Sequence, residues 1–176
     1  MRNRGRIVLI AGFVLTAWNM RPALAGVSPL LGDIMAELHL SPAAGGAITT
    51  VMVLCLGLLG PLAPALAGRL GLDRTVLVAL LLLCTGVVLR SLDGPPALYG
   101  GAVLAGAAIA IMNVAMPAVC KQHFPDRIGT FTGIYVSCLV AGAATASAVM
   151  VPLAGRVGWR AALGSAAVLA AVAALL

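Results

Sequence analysis

Trp18-Asn19-Met20-Arg21-Pro22-Ala23 lies inside the apolar run 7–31, and the way its arginine is accommodated decides the fold. A guanidinium stays charged at any working pH, so at membrane depth it needs a ligand or a partner in a polar cavity. Arg21 lies about 22 Å along a helix from Arg6 at about 1.5 Å per residue, beyond the midplane and too deep to snorkel easily. Pro22 lacks a backbone N–H, so it kinks the span and frees a carbonyl near Trp18. The pattern predicts a transmembrane helix with a fixed positive charge beside a polar hollow, suited to an anionic or electron-rich solute.

The surrounding chain is built for lipid. It has 176 residues, 62% hydrophobic and 9% charged, whereas a soluble domain carries about 25% charged residues. Its mean hydropathy is +1.12. A membrane-crossing helix needs about 20 apolar residues. The stretches 7–31, 44–67, 75–92, 97–120, 130–153 and 160–176 meet or nearly meet that length. Between them lie 32–42 with Asp33, Glu37 and His39, the charged turn 68–74, the Gly-Pro turn 91–96, the polar segment 121–129 and the glycine-rich reversal 155–159.

The net charge is +6, but the basic residues are scattered through short loops, which points to membrane orientation and away from nucleic acid. With the N-terminus inside, Arg2, Arg4, Arg6, Arg69, Arg74, Lys121 and Arg127 are cytoplasmic; only Arg90, Arg156 and Arg160 are outside. The reading is a multi-pass protein of the cell inner (plasma) membrane with a cytoplasmic N-terminus. A rival reading of residues 1–25 is a leader: a basic start, an apolar core, and Ala23-Leu24-Ala25 resembling a cleavage site. Cys55, Cys84, Cys120 and Cys138 sit in or beside apolar runs with no C-x-x-C pair, so they read as small buried hydrophobes, with neither disulfide nor metal. No cofactor is expected.

The chain echoes itself. Ala67-Gly68-Arg69-Leu70-Gly71 closes the second span, and Ala154-Gly155-Arg156-Val157-Gly158 closes the fifth. Asn19 and Pro22 of the first span match Asn113 and Pro117 of the fourth. Three spans are an odd number, so a second copy is inserted upside down; paired inverted triplets are a plan of secondary transporters. The expected fold class is an all-α membrane protein of six transmembrane helices in two inverted three-helix repeats, about 7–92 and 97–176, together one unit over 1–176.

Several segments resemble the major facilitator superfamily, and within it the cyanate and nitroimidazole transporter branch. They are Asn19-Met20-Arg21-Pro22 followed by Val27-Ser28-Pro29-Leu30-Leu31; Leu38-His39-Leu40-Ser41; Gly57-Leu58-Leu59-Gly60-Pro61-Leu62-Ala63-Pro64; Phe124-Pro125-Asp126-Arg127; and Gly158-Trp159-Arg160. The resemblance covers the whole chain. It implies an N-terminal half of a twelve-helix transporter, a missing C-terminal six-span half as partner, and a cavity lined by the first and fourth spans. Two features depart from the family pattern. Gly68 stands where the loop signature carries aspartate, although Arg69 and Gly71 are kept, and the fifth span lacks the Gly-Pro-rich antiporter motif.

The candidate substrate-binding residues are Arg21, Asn19, Asn113, Tyr135, Met52 and Met116. Arg21 offers a fork for an anion, the alternative being a structural arginine bonded to carbonyls of a neighbouring helix. The two amides would bond solute or tie helices together. Met52 and Met116 would line a slot or simply pack. Tyr135 offers a hydroxyl or an interfacial anchor. Pro22 and Pro117 are the expected kinks, and Arg69, Gly71 and Arg74 form the expected cytoplasmic gating loop. Arg90, at the outer end of the third span, is expected to be solvated or to funnel anions inward. Thr49 and Thr50 are expected to bond their own helix. Small-residue spacings at Gly129 and Gly133, Gly101 and Ala105, and Ala102, Gly106 and Ala110 predict close helix packing.

No acidic residue lies within a span, so a coupling proton would ride on the solute or use the other half. An intramembrane enzyme is not indicated: the chain has no H-E-x-x-H and no G-x-S-x-G, and both histidines lie in loops. The favoured function is a secondary active transporter, or its N-terminal half, moving a small anionic or polar electron-rich solute by alternating access. The alternative is a non-transporting six-span subunit or truncated assembly module.

Overall fold

The computed structural model describes residues 2–175, with side chains from residue 7 onward. The side chains of Arg2, Arg4 and Arg6, which weigh in the orientation argument, lie outside that range. All regular structure among the described residues is helical: α1 (Arg2–Ala25), α2 (Leu31–Glu37), α3 (Pro42–Leu59), α4 (Leu62–Leu70), α5 (Leu72–Arg90), α6 (Pro95–His123), α7 (Ile128–Val157) and α8 (Trp159–Ala174). Short 3-10 turns, Ser28–Leu30 and Pro125–Arg127, precede α2 and α7.

Five segments are long and apolar enough to cross a bilayer: Ile7–Glu37, Pro42–Leu59, Leu72–Arg90, Pro95–His123 and Pro125–Val157. The sixth expected span, 160–176, corresponds to α8, whose 16 described residues are apolar but shorter; Leu176 lies outside the described residues. Large apolar side chains such as Leu58, Val140 and Val168 stand exposed on α3, α7 and α8. Such an exterior suits lipid and does not suit water.

Two expected boundaries move. The first span ends as helix at Ala25, and part of the segment read as a loop is the helix α2. Leu30 and Ile34 are buried and draw that stretch onto the core, while Asp33 in its first turn complements the helix dipole. The second span breaks in two at Gly60-Pro61. Pro61 cannot donate to the preceding turn, and the carbonyl of Gly60 accepts from Ala63 N at 3.1 Å. By contrast, α1 and α6 continue as helix through Pro22 and Pro117.

The two echoing segments form elbows of one geometry. Gly71 joins α4 to α5 at φ 83°, ψ 158°, and Gly158 joins α7 to α8 at φ 82°, ψ 155°. Each glycine donates to the carbonyl four residues back, Gly71 to Ala67 at 3.0 Å and Gly158 to Ala154 at 2.8 Å. Each then accepts from the helix that follows, from Thr75 N and Ala162 N, both at 3.1 Å.

Around the bundle, α3 packs along α6, α6 along α5, α5 along α8, α8 along α1, and α1 along α7. The α5–α6 contact is the most extensive. Glycine makes it possible: a Cβ on Gly101 would stand 2.5 Å from the Gly86 carbonyl oxygen, and one on Gly86 would stand 2.6 Å from Ala105 N. Gly106 lies likewise against Met52 and Cys55 of α3. Gly129 and Gly133 behave otherwise, because no described neighbour approaches within 4 Å of either. The expected packing on that pair is therefore not made within the described residues.

Polar contacts fasten the two ends. At one end His123 Nε2 lies 2.9 Å from Asp73 Oδ1, beside the segments carrying Arg69, Arg74, Lys121 and Arg127. At the other, Arg160 pairs with Glu37 and, at 3.0 Å, with Asp93, while the Trp159 indole N–H donates to Glu37 at 2.5 Å.

Candidate functional site

Arg21 is carried on α1 one residue before Pro22 and is half-buried. It makes no hydrogen bond or ion pair with a described residue, so no shell of backbone oxygens wraps it. It lies close enough to Tyr135 of α7 for its charge to act on the phenol. Tyr135 is buried and donates its hydroxyl to Asn113 Oδ1 of α6 at 3.2 Å. Three of the candidates, from α1, α6 and α7, thus belong to one region, and Tyr135 is no interfacial anchor.

Asn19, two residues before Arg21 and so on the other side of α1, is buried. Its Nδ2 donates to its own helix at Leu15 O, 3.0 Å away, while its buried Oδ1 has no partner among the described residues. It is an acceptor without a donor, which is costly to bury. The carbonyl of Trp18, freed by Pro22, faces α7. A Cβ on Gly142 would stand 2.6 Å from it, so α7 approaches α1 there only because residue 142 is glycine.

The methionines stand apart from this group. Met52 is wholly buried where α3 meets Gly106 of α6. Met116 is also buried and contributes to a separate cavity of about 310 Å³, with Phe13 and Thr16 of α1, Leu80 of α5 and the Asp73–His123 pair. Arg21, Asn19, Asn113, Tyr135 and Met52 do not line it. Arg69 and Arg74 are exposed around the Gly71 elbow, and Gly68 has open space around it. Thr49 and Thr50 both donate to Gly46 O at 3.0 Å, within their own helix.

Two features escaped the sequence reading. The first is aromatic. Phe124 and Phe131 stack with centroids 3.6 Å apart, and Phe13 meets both edge-on and leans on Tyr135 at 6.4 Å. These are all three phenylalanines of the chain. They form the apolar floor of the Tyr135 region; the four-residue step from Phe131 to Tyr135 was the available signal. The second is Arg90. It is neither solvated nor at a funnel mouth, as expected, but 0% exposed, with Nη1 donating to Ala23 O of α1 at 2.5 Å. The end of α5 is turned inward, and the last turn of α1 offers a carbonyl that no backbone N–H takes up.

Chemically, the region offers one fixed cation and one hydroxyl–amide pair beside aromatic rings. That set can orient a small polar or anionic molecule. It contains no nucleophile–base pair among the described residues.

Among known proteins, the chain is 40% identical over 164 residues to the 2-nitroimidazole transporter of Escherichia coli (strain K12), covering 93% of this chain and 42% of that protein. It is 41% identical over 154 residues to the uncharacterized transporter YycB of Bacillus subtilis (strain 168), covering 86% of this chain and 38% of the other. It is 31% identical over 137 residues to the cyanate transport protein CynX of Escherichia coli (strain K12), covering 77% and 36%. It therefore spans less than half the length of each of these relatives. In three dimensions it is similar to the xylose transporter XylE from E. coli in its inward open conformation, with a TM-score of 0.77 at 14% identity over 96% of this chain and 46% of that one, a likeness of fold alone. Residues 7–176 match the family profile, and with helices of this length, order and apolarity the chain belongs to the Major Facilitator Superfamily.

Proposed function

We propose that this chain is the N-terminal six-helix half of a secondary active transporter that moves a small anionic or polar electron-rich solute by alternating access, with Arg21 as the recognition charge. The carrying observation is that Arg21 is half-buried at membrane depth without a partner among the described residues. The neighbouring Tyr135–Asn113 pair supplies a second polar contact, while Asn19, two residues before Arg21 and so turned to the other side of α1, is a further candidate through its unpartnered amide oxygen. Met52 and Met116 pack elsewhere in the bundle and take no part in this set of contacts. Two of the relatives carry names that denote cyanate and 2-nitroimidazole, small molecules rich in lone pairs, which suits a guanidinium fork.

The partner is a second six-helix half. An exposed face of α7 supports this reading: Gly129, Gly133 and Ser137 recur at four-residue steps, with no described atom within 4 Å of a Cβ placed on either glycine. Faces of that kind let helix backbones approach closely. The matching elbows at Gly71 and Gly158 support two inverted triplets, about 7–92 and 97–176. The Arg69–Gly71–Arg74 turn is the cytoplasmic gate element, and the greater share of basic residues at its end supports a cytoplasmic N-terminus in the inner membrane.

The test is uptake of cyanate and 2-nitroimidazole by proteoliposomes containing the full-length protein. Arg21→Lys keeps the charge but loses the planar fork, so uptake falls by at least about tenfold while the protein still inserts. Uptake kinetics equal to wild type in that variant would remove Arg21 from recognition.

A further inference from the structure

We propose that Arg90 is a positioning residue for the solute site: it holds the outer end of α1 at the angle that presents Arg21. This rests on the transport reading given above and adds a residue that does not touch the solute.

Pro22 removes the hydrogen bond that would join the last turns of α1 to Trp18, so the segment from Pro22 to Ala25 hangs on a weakened hinge. Beyond it the helix stops. Gly26 N takes the Pro22 carbonyl at 3.0 Å, and the Ala23 carbonyl goes to Arg90 Nη1 at 2.5 Å. That bond crosses from α5 and is charge-assisted. It also places a cation on the negative end of the α1 dipole.

The anchor is stiff. Arg90 is 0% exposed, and its Cβ would lie 2.6 Å from a Cβ on Gly101, so α6 grips it closely. Its Nε and Nη2 have no partner among the described residues. A leucine or methionine would pack there without burying a charge. What the guanidinium adds is its grip on one carbonyl, two residues after Arg21. At about 100° per residue, Ala23 and Arg21 point to nearly opposite sides of α1. Arg90 therefore fixes the turn of α1 that follows Arg21 through a backbone carbonyl, leaving the Arg21 side chain free.

The experiment measures cyanate uptake by the full-length protein reconstituted as Arg90→Met, Arg90→Lys and Arg21→Lys. Arg90→Met raises KM about tenfold and leaves Vmax within about twofold, whereas Arg90→Lys, which keeps a charged donor for Ala23 O, falls between it and wild type. Arg90→Met with unchanged KM, or with only Vmax reduced, overturns the proposal. So does an Arg90→Met protein that never reaches the membrane together with an Arg90→Lys protein that is either wild type or unfolded, since Arg90 would then serve folding only. Failure of the transport reading looks different: there Arg21→Lys itself transports normally, and both ideas fall together.

Discussion

Two pairs of glycines in this bundle meet opposite fates. Gly86 and Gly101 lie where α5 and α6 touch, with backbone of the other helix inside the space a Cβ would need. Gly129 and Gly133 lie on α7 with no described atom within 4 Å of where a Cβ would stand. In the sequence the two pairs look alike, as small residues in apolar helices. The difference teaches that such a residue announces a close contact without saying whether the partner is in the same chain. In a membrane, where lipid is as apolar as leucine, close backbone approach is what holds helices together. A bare glycine face is then the place to test for another set of helices.

The largest effect is expected on the packed side. Gly101→Val would drive a branched side chain into the Gly86 carbonyl and the base of Arg90. Both are fixed, so neither can yield. Overpacking costs about 1–3 kcal/mol where side chains can shift, and more where backbone must. The variant should give no monodisperse protein in detergent, or a Tm lowered by many degrees. Size-exclusion profiles and thermal unfolding decide it. A variant with the Tm of wild type would mean that α5 and α6 do not meet at these glycines.

A third kind of glycine sharpens the contrast. Gly71 and Gly158 also have open space around them, but their φ values of 83° and 82° with extended ψ belong to a region that other residues avoid. Here the backbone, and not the neighbour, demands glycine. Gly71→Ala and Gly158→Ala should each cost about 1–3 kcal/mol, and by similar amounts, because the two elbows share one geometry. Thermal unfolding of the two variants side by side measures this. A cost confined to one elbow would break their equivalence, and with it the best structural support for the inverted repeat.

Much of this was legible in the chain. The length of the apolar runs marked the helices, and the repeated Ala-Gly-Arg-x-Gly motif marked both elbows, since hydropathy and backbone preference are local. Arg21 was legible because a charge in an apolar run stands out whatever surrounds it. Arg90 was misjudged for the opposite reason. An arginine at the end of a span looks the same whether it faces water or reaches across to Ala23, and only the rotation of α5 decides. Phe13 and Phe124 are far apart in sequence, so their meeting depends on how α1, α6 and α7 assemble. The break at Gly60-Pro61 was written in the residues but outweighed by the apolar run on either side.

The smallest effect on stability is expected on the open side. At Gly133 a new Cβ meets no described atom within 4 Å, and valine is somewhat better than glycine in a helix. Gly133→Val should therefore shift the unfolding free energy by no more than about 0.5 kcal/mol, as surface changes do. Its effect on function should be larger. If the α7 face receives helices of a second half, two added methyl groups hold those backbones apart, and uptake by the full-length protein falls severalfold while its Tm stays put. Measuring Tm and uptake on the same preparation separates the two. A Tm loss as large as that of Gly101→Val would show that the α7 face is covered from within, and wild-type uptake would show that nothing docks there.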